Sequence, residues 1–343
     1  MSLKRSTLSI YHLHFGPLLI SLLLSPLASC DSGNDLEPPV TTLPPGIFGW
    51  TMQSSDISDP IEDIYFVNQG FGWAVGQETV LATSLGGDFW SPAPLDDSQV
   101  PNRINSIYFL SEQQGWFAVG NEDGTSGQIY ISQQGGAYPS LQATLNNPMN
   151  TIFFLDDQKG WAAGVNGQVV TTKNGGQEWT TVDSLGVDLY GIQFTTETKG
   201  WAVGQNGSLY GTTDGDNFGR VALDTDADLT GVHFVDTLYG WVCGIRNTIY
   251  RRHLSEDNQV VWSNIRLEGQ GNLLDWYDIF FLDRLRGWIV GEGGRIYRTN
   301  DGGITWEREF APAFVKLNAI HMVSATKGWI AGDDGVILSY EPN

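Results

Sequence analysis

Cysteine is nearly missing from this sequence. Cys30 and Cys243 are the only two in 343 residues, too few for a disulfide framework. Basic side chains are scarce as well: 18 lysines and arginines face 39 aspartates and glutamates, a formal net charge of −21. Such a surface repels phosphate backbones and acidic lipid headgroups, so nucleic acid is excluded as a partner, while basic proteins, cations and neutral ligands remain. The five histidines are scattered, and no His, Cys or Asp cluster has ligand spacing, so neither a metal nor another cofactor is expected. A phosphate-cradling glycine loop, a nucleophile elbow and an HExxH motif are all missing. Apolar periodicity of 3.6 residues is also missing, which argues against a helical solenoid.

Glycine and tryptophan are plentiful, with 42 and 13 residues. Gly-Trp recurs at Trp73, Trp116, Trp161, Trp201, Trp241, Trp288 and Trp329, at intervals of 40 to 47 residues. Periods of that length belong to propellers or solenoids. Ahead of each Gly-Trp lies an alternating apolar pair, from Ile64/Phe66 to Ile320/Met322, and period two is a strand signal. A short second strand ending in glycine follows (WAVG, WIVG), then a third (SLYGT, RIYRT), then a glycine-rich turn with another aromatic. Four strands in about 40 residues make one propeller blade. The seventh unit stops at Tyr340, after its third strand, and residues 47–53 (IFGWTMQ) supply the missing fourth. The expected fold is therefore an all-β, seven-bladed β-propeller of four-stranded blades over 47–343, its ring closed by the N-terminal strand. Twelve tryptophans fall on repeat positions and are expected to pack; Trp276 is left over.

The N-terminus reads as an address. Lys4 and Arg5 precede an apolar stretch too short to span a bilayer, followed by Leu27-Ala28-Ser29-Cys30. Those four residues resemble the lipobox of bacterial lipoproteins, which implies a signal peptide over 1–29, lipidation at Cys30 and a membrane anchor. Residues 30–46 form a polar, proline-rich tether that reaches roughly 50 Å when extended. The expected location is extracytoplasmic, in the periplasm or at the cell surface.

Thr299-Asn300-Asp301-Gly302-Gly303-Ile304-Thr305-Trp306 resembles the Asp-box of bacterial neuraminidase repeats, and Thr172 to Trp179 matches it with Asn174 for the aspartate. Units two and four carry the aromatic one residue early. Together, I-x-F, G-W-x-x-G and the TxDGGxxW-like turn are similar to the photosystem II stability/assembly factor family over residues 47–343. That resemblance implies a seven-bladed propeller acting as a non-enzymatic helper that holds newly made membrane-protein subunits. Sialidases with this repeat use an arginine cluster, and arginine is scarce here.

Candidate contacts lie in loops. The blade connections and the turns after the second glycine are expected to share one acidic face, carrying Asp96, Asp97, Asp183, Asp188, Asp224, Asp226, Asp228, Asp275, Glu292 and Asp333. Lys159, Lys199, Arg286 and Lys327 fall on the other face, offset by nearby acids. Trp276, with Tyr277 beside it, is the leading single contact candidate; its alternative role is covering a core edge. Cys243 reads as a small buried residue. The expectation is a monomeric, non-enzymatic, membrane-tethered propeller that binds a protein partner in the cell envelope, through a basic segment of that partner, and assists assembly of an envelope complex. A carbohydrate-binding or glycoside-hydrolase propeller is the alternative, since paired carboxylates would suit it.

Overall fold

The computed structural model describes residues 49–95, 103–120, 124–267 and 274–341. Among these, seven antiparallel sheets of four strands each make up almost all regular structure. Six sheets are meanders of consecutive strands and the seventh takes its outer strand from the N-terminal side; the innermost strand of each lines a central channel. These inner strands are Ile61–Phe66, Arg103–Phe109, Met149–Phe154, Leu189–Phe194, Leu229–Phe234, Trp276–Phe281 and Leu317–Ser324. They contact one another in a closed ring, the last returning to the first. The seven-bladed expectation holds.

The repeat motifs explain how blades stack. The phenylalanine ending each I-x-F lies over the glycine of its own blade's Gly-Trp. A Cβ on Gly72 would stand 2.3 Å from the Phe66 ring, and the other Gly-Trp glycines are equally close to a side chain of their own blade. The tryptophan of the preceding blade then covers the same phenylalanine face to face. Trp73 stacks on Phe109 at 3.6 Å, Trp241 on Phe281 at 3.5 Å and Trp329 on Phe66 at 3.4 Å, all within 4° of parallel. Three further junctions repeat the stack, and Trp288 faces Met322 at the seventh. Such aromatic pairs add about 0.5–1.5 kcal/mol beyond the area they bury. Four of these indoles also donate to a glycine carbonyl in the next blade's Asp-box turn, as Trp241 does to Gly302 at 2.9 Å.

The degenerate turns differ from each other. Phe218 of the fourth blade packs edge-on to Phe194, where other blades use tryptophan. Tyr138 of the second is 57% exposed, and Phe117 from that blade's longer second strand packs edge-on to Phe109 instead.

The ring closes as the sequence implies. Trp50–Gln53 pairs antiparallel with Ile337–Tyr340, Trp50 opposite Tyr340. The Trp50 indole donates to Glu309 Oε2 at 2.7 Å, across to the outer strand of the sixth blade. Gln53 and Gln142 receive the tryptophans of the first and third blades at the same place, and their amides also reach an Asp-box glycine carbonyl. The closing blade has no Asp-box turn, so a carboxylate serves there.

Candidate functional site: the channel mouth

All seven inner strands carry a β-bulge near their start, one residue in for six of them and two residues in for Arg103–Phe109. A bulged residue leaves the ladder and its side chain is re-aimed. Here the bulged residues are Glu62, Asn105, Asn150, Tyr190, Thr230, Tyr277 and Asn318, and together with Arg103 and Lys316 they line the channel mouth. One residue deeper, Asp63, Ser106, Thr151 and Asp278 face a cavity of about 180 Å³. Two residues further in, a collar of Tyr65, Tyr108, Phe153, Gln193, His233, Phe280 and His321 narrows the channel. Within it, Tyr65 lies 4.5 Å from His321 and His233 lies 4.5 Å from Phe280.

Most polar atoms in this channel hold neighbouring blades together. Asn105 donates to Met149 O at 2.8 Å, Asn150 to Leu189 O at 2.9 Å, Thr230 to Trp276 O at 2.7 Å and Asn318 to Ile61 O at 2.9 Å. The other three junctions use deeper residues. Asp63 accepts from Ile107 N and Asp278 from Ile320 N, both at 2.9 Å, while Gln193 bonds both backbone groups of Phe234. Where the bulged residue is long or aromatic (Glu62, Tyr190, Tyr277), the staple moves one to three residues inward. Tyr190 and Tyr277 are thereby released from bonding the next blade's strand, while Glu62 meets the second blade through an ion pair instead.

Their surroundings are charged. Arg103 pairs with Glu62 at 3.0 Å. Lys316 Nζ stands 4.1 Å over the Tyr277 ring, and the Tyr277 hydroxyl donates to Glu292 at 3.2 Å. Burial pushes the Tyr277 hydroxyl pKa up, and the Glu292 charge adds to it. Burial also raises Asp63 to about 6 and Asp278 to about 7; backbone N–H bonds offset part of the rise, while Glu62 adds to it at Asp63 and Asp63 adds to it at Asp278. His233 falls to about 3 and His321 to about 4 because burial disfavours their charged forms. Neither imidazole is charged at neutral pH, so the collar is uncharged. Among the described residues no three His, Cys, Asp or Glu side chains gather within metal-binding range of one another.

The sequence-derived candidates separate. Trp276 is fully buried, edge-on to Tyr297, with its indole donating to Asn247 at 3.2 Å; the packing alternative describes it. Tyr277 sits on the mouth. Asp224 and Asp226 are exposed on the connection into the fifth blade, and Asp226 pairs with Arg246 at 2.6 Å. Asp228 caps a turn, accepting from Asn206 N at 2.8 Å, as Asp188 and Asp275 do from Asn166 and Arg246. Asp183 does not belong with the loop acids: it lies on the outer strand Thr180–Ser184 and accepts from Phe218 N of the next blade. Cys243 is buried, and burial raises its thiol pKa. Asp96, Asp97 and Cys30 lie outside the described residues. Sequence reading missed the bulge ring. Its signal is the residue just after the first apolar position of each inner strand, visible once the seven units are aligned.

The connections between blades and the turns after the second glycine do share the mouth face. Gln205 N, Ile245 N, Glu292 N and Asp333 N each donate to the connection entering their own blade, at 2.9–3.0 Å. On the opposite face five loop cations are paired, Lys159 with Glu197, Lys173 with Asp216, Arg284 with Asp236, Arg286 with Asp283 and Lys327 with Glu341, while Lys199 forms no ion pair with a described acid.

A sequence model of the family described as photosynthesis system II assembly factor YCF48 matches residues 123–213 and 254–341, about half of the chain. No curated protein matches. Among solved structures, one described as YCF48 bound to D1 peptide superposes with a TM-score of 0.72 at 20% identity, covering 86% of this chain and 97% of that one. YCF48 from Cyanidioschyzon merolae gives 0.71 at 20% identity, covering 86% and 99%. The WD40 propeller domain of Doa1 gives 0.69 at 13% identity, covering 86% and 98%. At these identities the solved structures carry the fold alone.

Proposed function

This chain belongs to the photosynthesis system II assembly factor YCF48 family, and we propose that it is a non-enzymatic propeller that binds a protein partner across its channel-mouth face. In doing so it assists assembly or stability of a membrane complex at the cell envelope. Family membership supports a helper that holds a protein rather than one that turns over a substrate, and a structure in that family is described as holding a D1 peptide. The observation that carries the placement is the mouth itself. Asn105, Asn150, Thr230 and Asn318 there are spent on joining blades, whereas Tyr190 and Tyr277 are not; Glu62, Arg103 and Lys316 line the same mouth, and Asp224 and Asp226 are exposed on the connection into the fifth blade. The excess of acids on this face suits a partner segment carrying basic residues. The lipobox-like residues ending at Cys30 support a lipid anchor with the body outside the cytoplasm.

The test is affinity capture from detergent-solubilised membranes with the full lipidated chain. The same protein should be recovered with wild type and with Lys159→Ala on the opposite face, and lost with Tyr277→Ala combined with Asp224→Asn and Asp226→Asn. Equal recovery by the mouth-face variant would refute this placement. Separately, Cys30→Ser should move the chain from the membrane to the soluble fraction; retention at the membrane would refute the anchor.

A further inference from the structure

The cavity just below the mouth is lined mainly by polar side chains, carboxylates and amides among them. Asn105 and Asn150 each spend one amide N–H on a strand carbonyl and Asn318 spends both, on Ile61 O and Asp333 Oδ1, which leaves their Oδ1 atoms as acceptors. The Thr230 hydroxyl proton is likewise spent on Trp276 O. The carboxylates of Asp63 and Asp278 join them, with Glu62 at the upper edge. No lysine or arginine among the described residues lines this cavity; Arg103 and Lys316 stand only at the wider mouth above. Asn318 Oδ1 is buried and accepts no hydrogen bond from any described residue. A narrow lumen with fixed acceptors, acids and no counter-charge attracts a cation, and its low-dielectric walls strengthen that attraction.

We propose that the upper channel is a binding site for a hard divalent cation, held between Asp63 and Asp278 with the amide oxygens of Asn105, Asn150 and Asn318. Carboxylate and neutral amide oxygens together are the ligand set such ions take, and Ca²⁺ accepts it in flexible geometry. The volume, about 180 Å³, is several times the roughly 30 Å³ share of one water, so the ion enters with part of its water shell. Raised carboxyl pKa values at both aspartates fit the same picture, since a cation relieves the burial and repulsion behind them. Both aspartates are also blade staples, so the ion ties the junction of the first two blades to that of the last two. This site does not depend on the protein-binding role proposed above.

Ca²⁺ binding to the full chain is measured by equilibrium dialysis, and the thermal midpoint is followed in CaCl₂ against choline chloride at matched ionic strength. The midpoint should rise by several degrees in Ca²⁺ only. The rise should vanish in Asp63→Asn with Asp278→Asn and persist in Asp224→Asn with Asp226→Asn, which alters exposed acids outside the channel. Thr151→Asp adds a carboxylate at the equivalent inner-strand position without touching the Asn150 staple, and should tighten Ca²⁺ binding at least severalfold. It decides the matter even if the double variant fails to fold. Identical curves in Ca²⁺ and choline, a Ca²⁺ shift surviving in the channel double variant, or unchanged affinity in Thr151→Asp would each overturn the proposal.

Discussion

One glycine per repeat sets how closely blades approach. In the fifth blade a Cβ on Gly240 would stand 2.3 Å from the Phe234 ring, which already lies under Trp201. Gly240→Ala should therefore cost about 1–3 kcal/mol through overpacking, read as a lower urea midpoint with an unchanged slope. The neighbouring residues Trp276 and Tyr277 should respond in opposite ways. Trp276→Ala empties a fully buried site and should cost about 3–5 kcal/mol, whereas Tyr277→Ala should leave the midpoint nearly unchanged and weaken partner capture. Trp276 looked like a contact residue because it stands outside the Gly-Trp and Asp-box motifs. Aligned on inner strands, it shares the first position with Ile61, Met149, Leu189, Leu229 and Leu317, all of them core. Carboxylates at this scale also give stability a pH dependence. Asp63 and Asp278 rise from 3.8 to about 6 and about 7, so their contribution is complete below pH 3.8 and is lost as pH rises through 6 to 7. Asp214, Asp236, Asp283 and Asp301 are lowered by hydrogen bonds to their charged forms, and their contribution is lost only as pH falls below the usual carboxylate range. His233 and His321, lowered from 6.5 to about 3 and about 4, act the other way: their contribution is complete above pH 6.5 and is lost as pH falls toward 4 and 3. The two aspartates and two histidines nearly offset each other, so chemical denaturation between pH 4 and 7 should show a shallow profile, and Asp63→Asn with Asp278→Asn should turn it into one that rises toward pH 6.5.

At the scale of strands, the closing segment was readable because its absence from the seventh unit left a gap of known size. Period-two apolar pairs placed the inner strands equally well. The bulges and staples were not readable, because the partner of Asn105 or Asp63 is a backbone group some 44 residues away whose position depends on the ring. Aromatic substitution was also hidden: Phe117 stands at the register position that carries Ala74, Ala162 or Ala202 in other blades, and takes over the terminal tryptophan's edge-on contact there. The closing strand makes a sharp prediction. Deleting residues through Gln53 removes the antiparallel partner of Ile337–Tyr340 and leaves an apolar strand edge open to other chains. The truncated chain should aggregate in light scattering, while Trp50→Ala, which keeps the backbone pairing but loses the Glu309 bond, should remain monomeric with a lower melting temperature.

For the whole molecule, the two faces differ in how charge is compensated rather than merely in how much there is. On the face opposite the mouth, five ion pairs neutralise all the named loop cations but Lys199, three of them between adjacent blades. On the mouth face, Arg103–Glu62 and Arg246–Asp226 are paired, while Asp224, Asp228, Asp275, Glu292 and Asp333 form no ion pair with any described lysine or arginine. With a net charge of −21 over the chain, the molecule presents its uncompensated field on the side where Tyr190 and Tyr277 line the channel mouth. Such a field acts on encounter more than on the bound state, and it is screened beyond about 8 Å at physiological salt. For a partner with a basic segment, the association rate should fall on the order of tenfold between roughly 50 mM and 500 mM salt, with the dissociation rate nearly constant. Asp224→Asn with Asp226→Asn should reduce that salt dependence, and Lys159→Ala should not. Surface-plasmon kinetics separates the two rates; a salt effect confined to dissociation would mean that the partner is held by short-range contacts at the mouth and that the acidic face does not steer it.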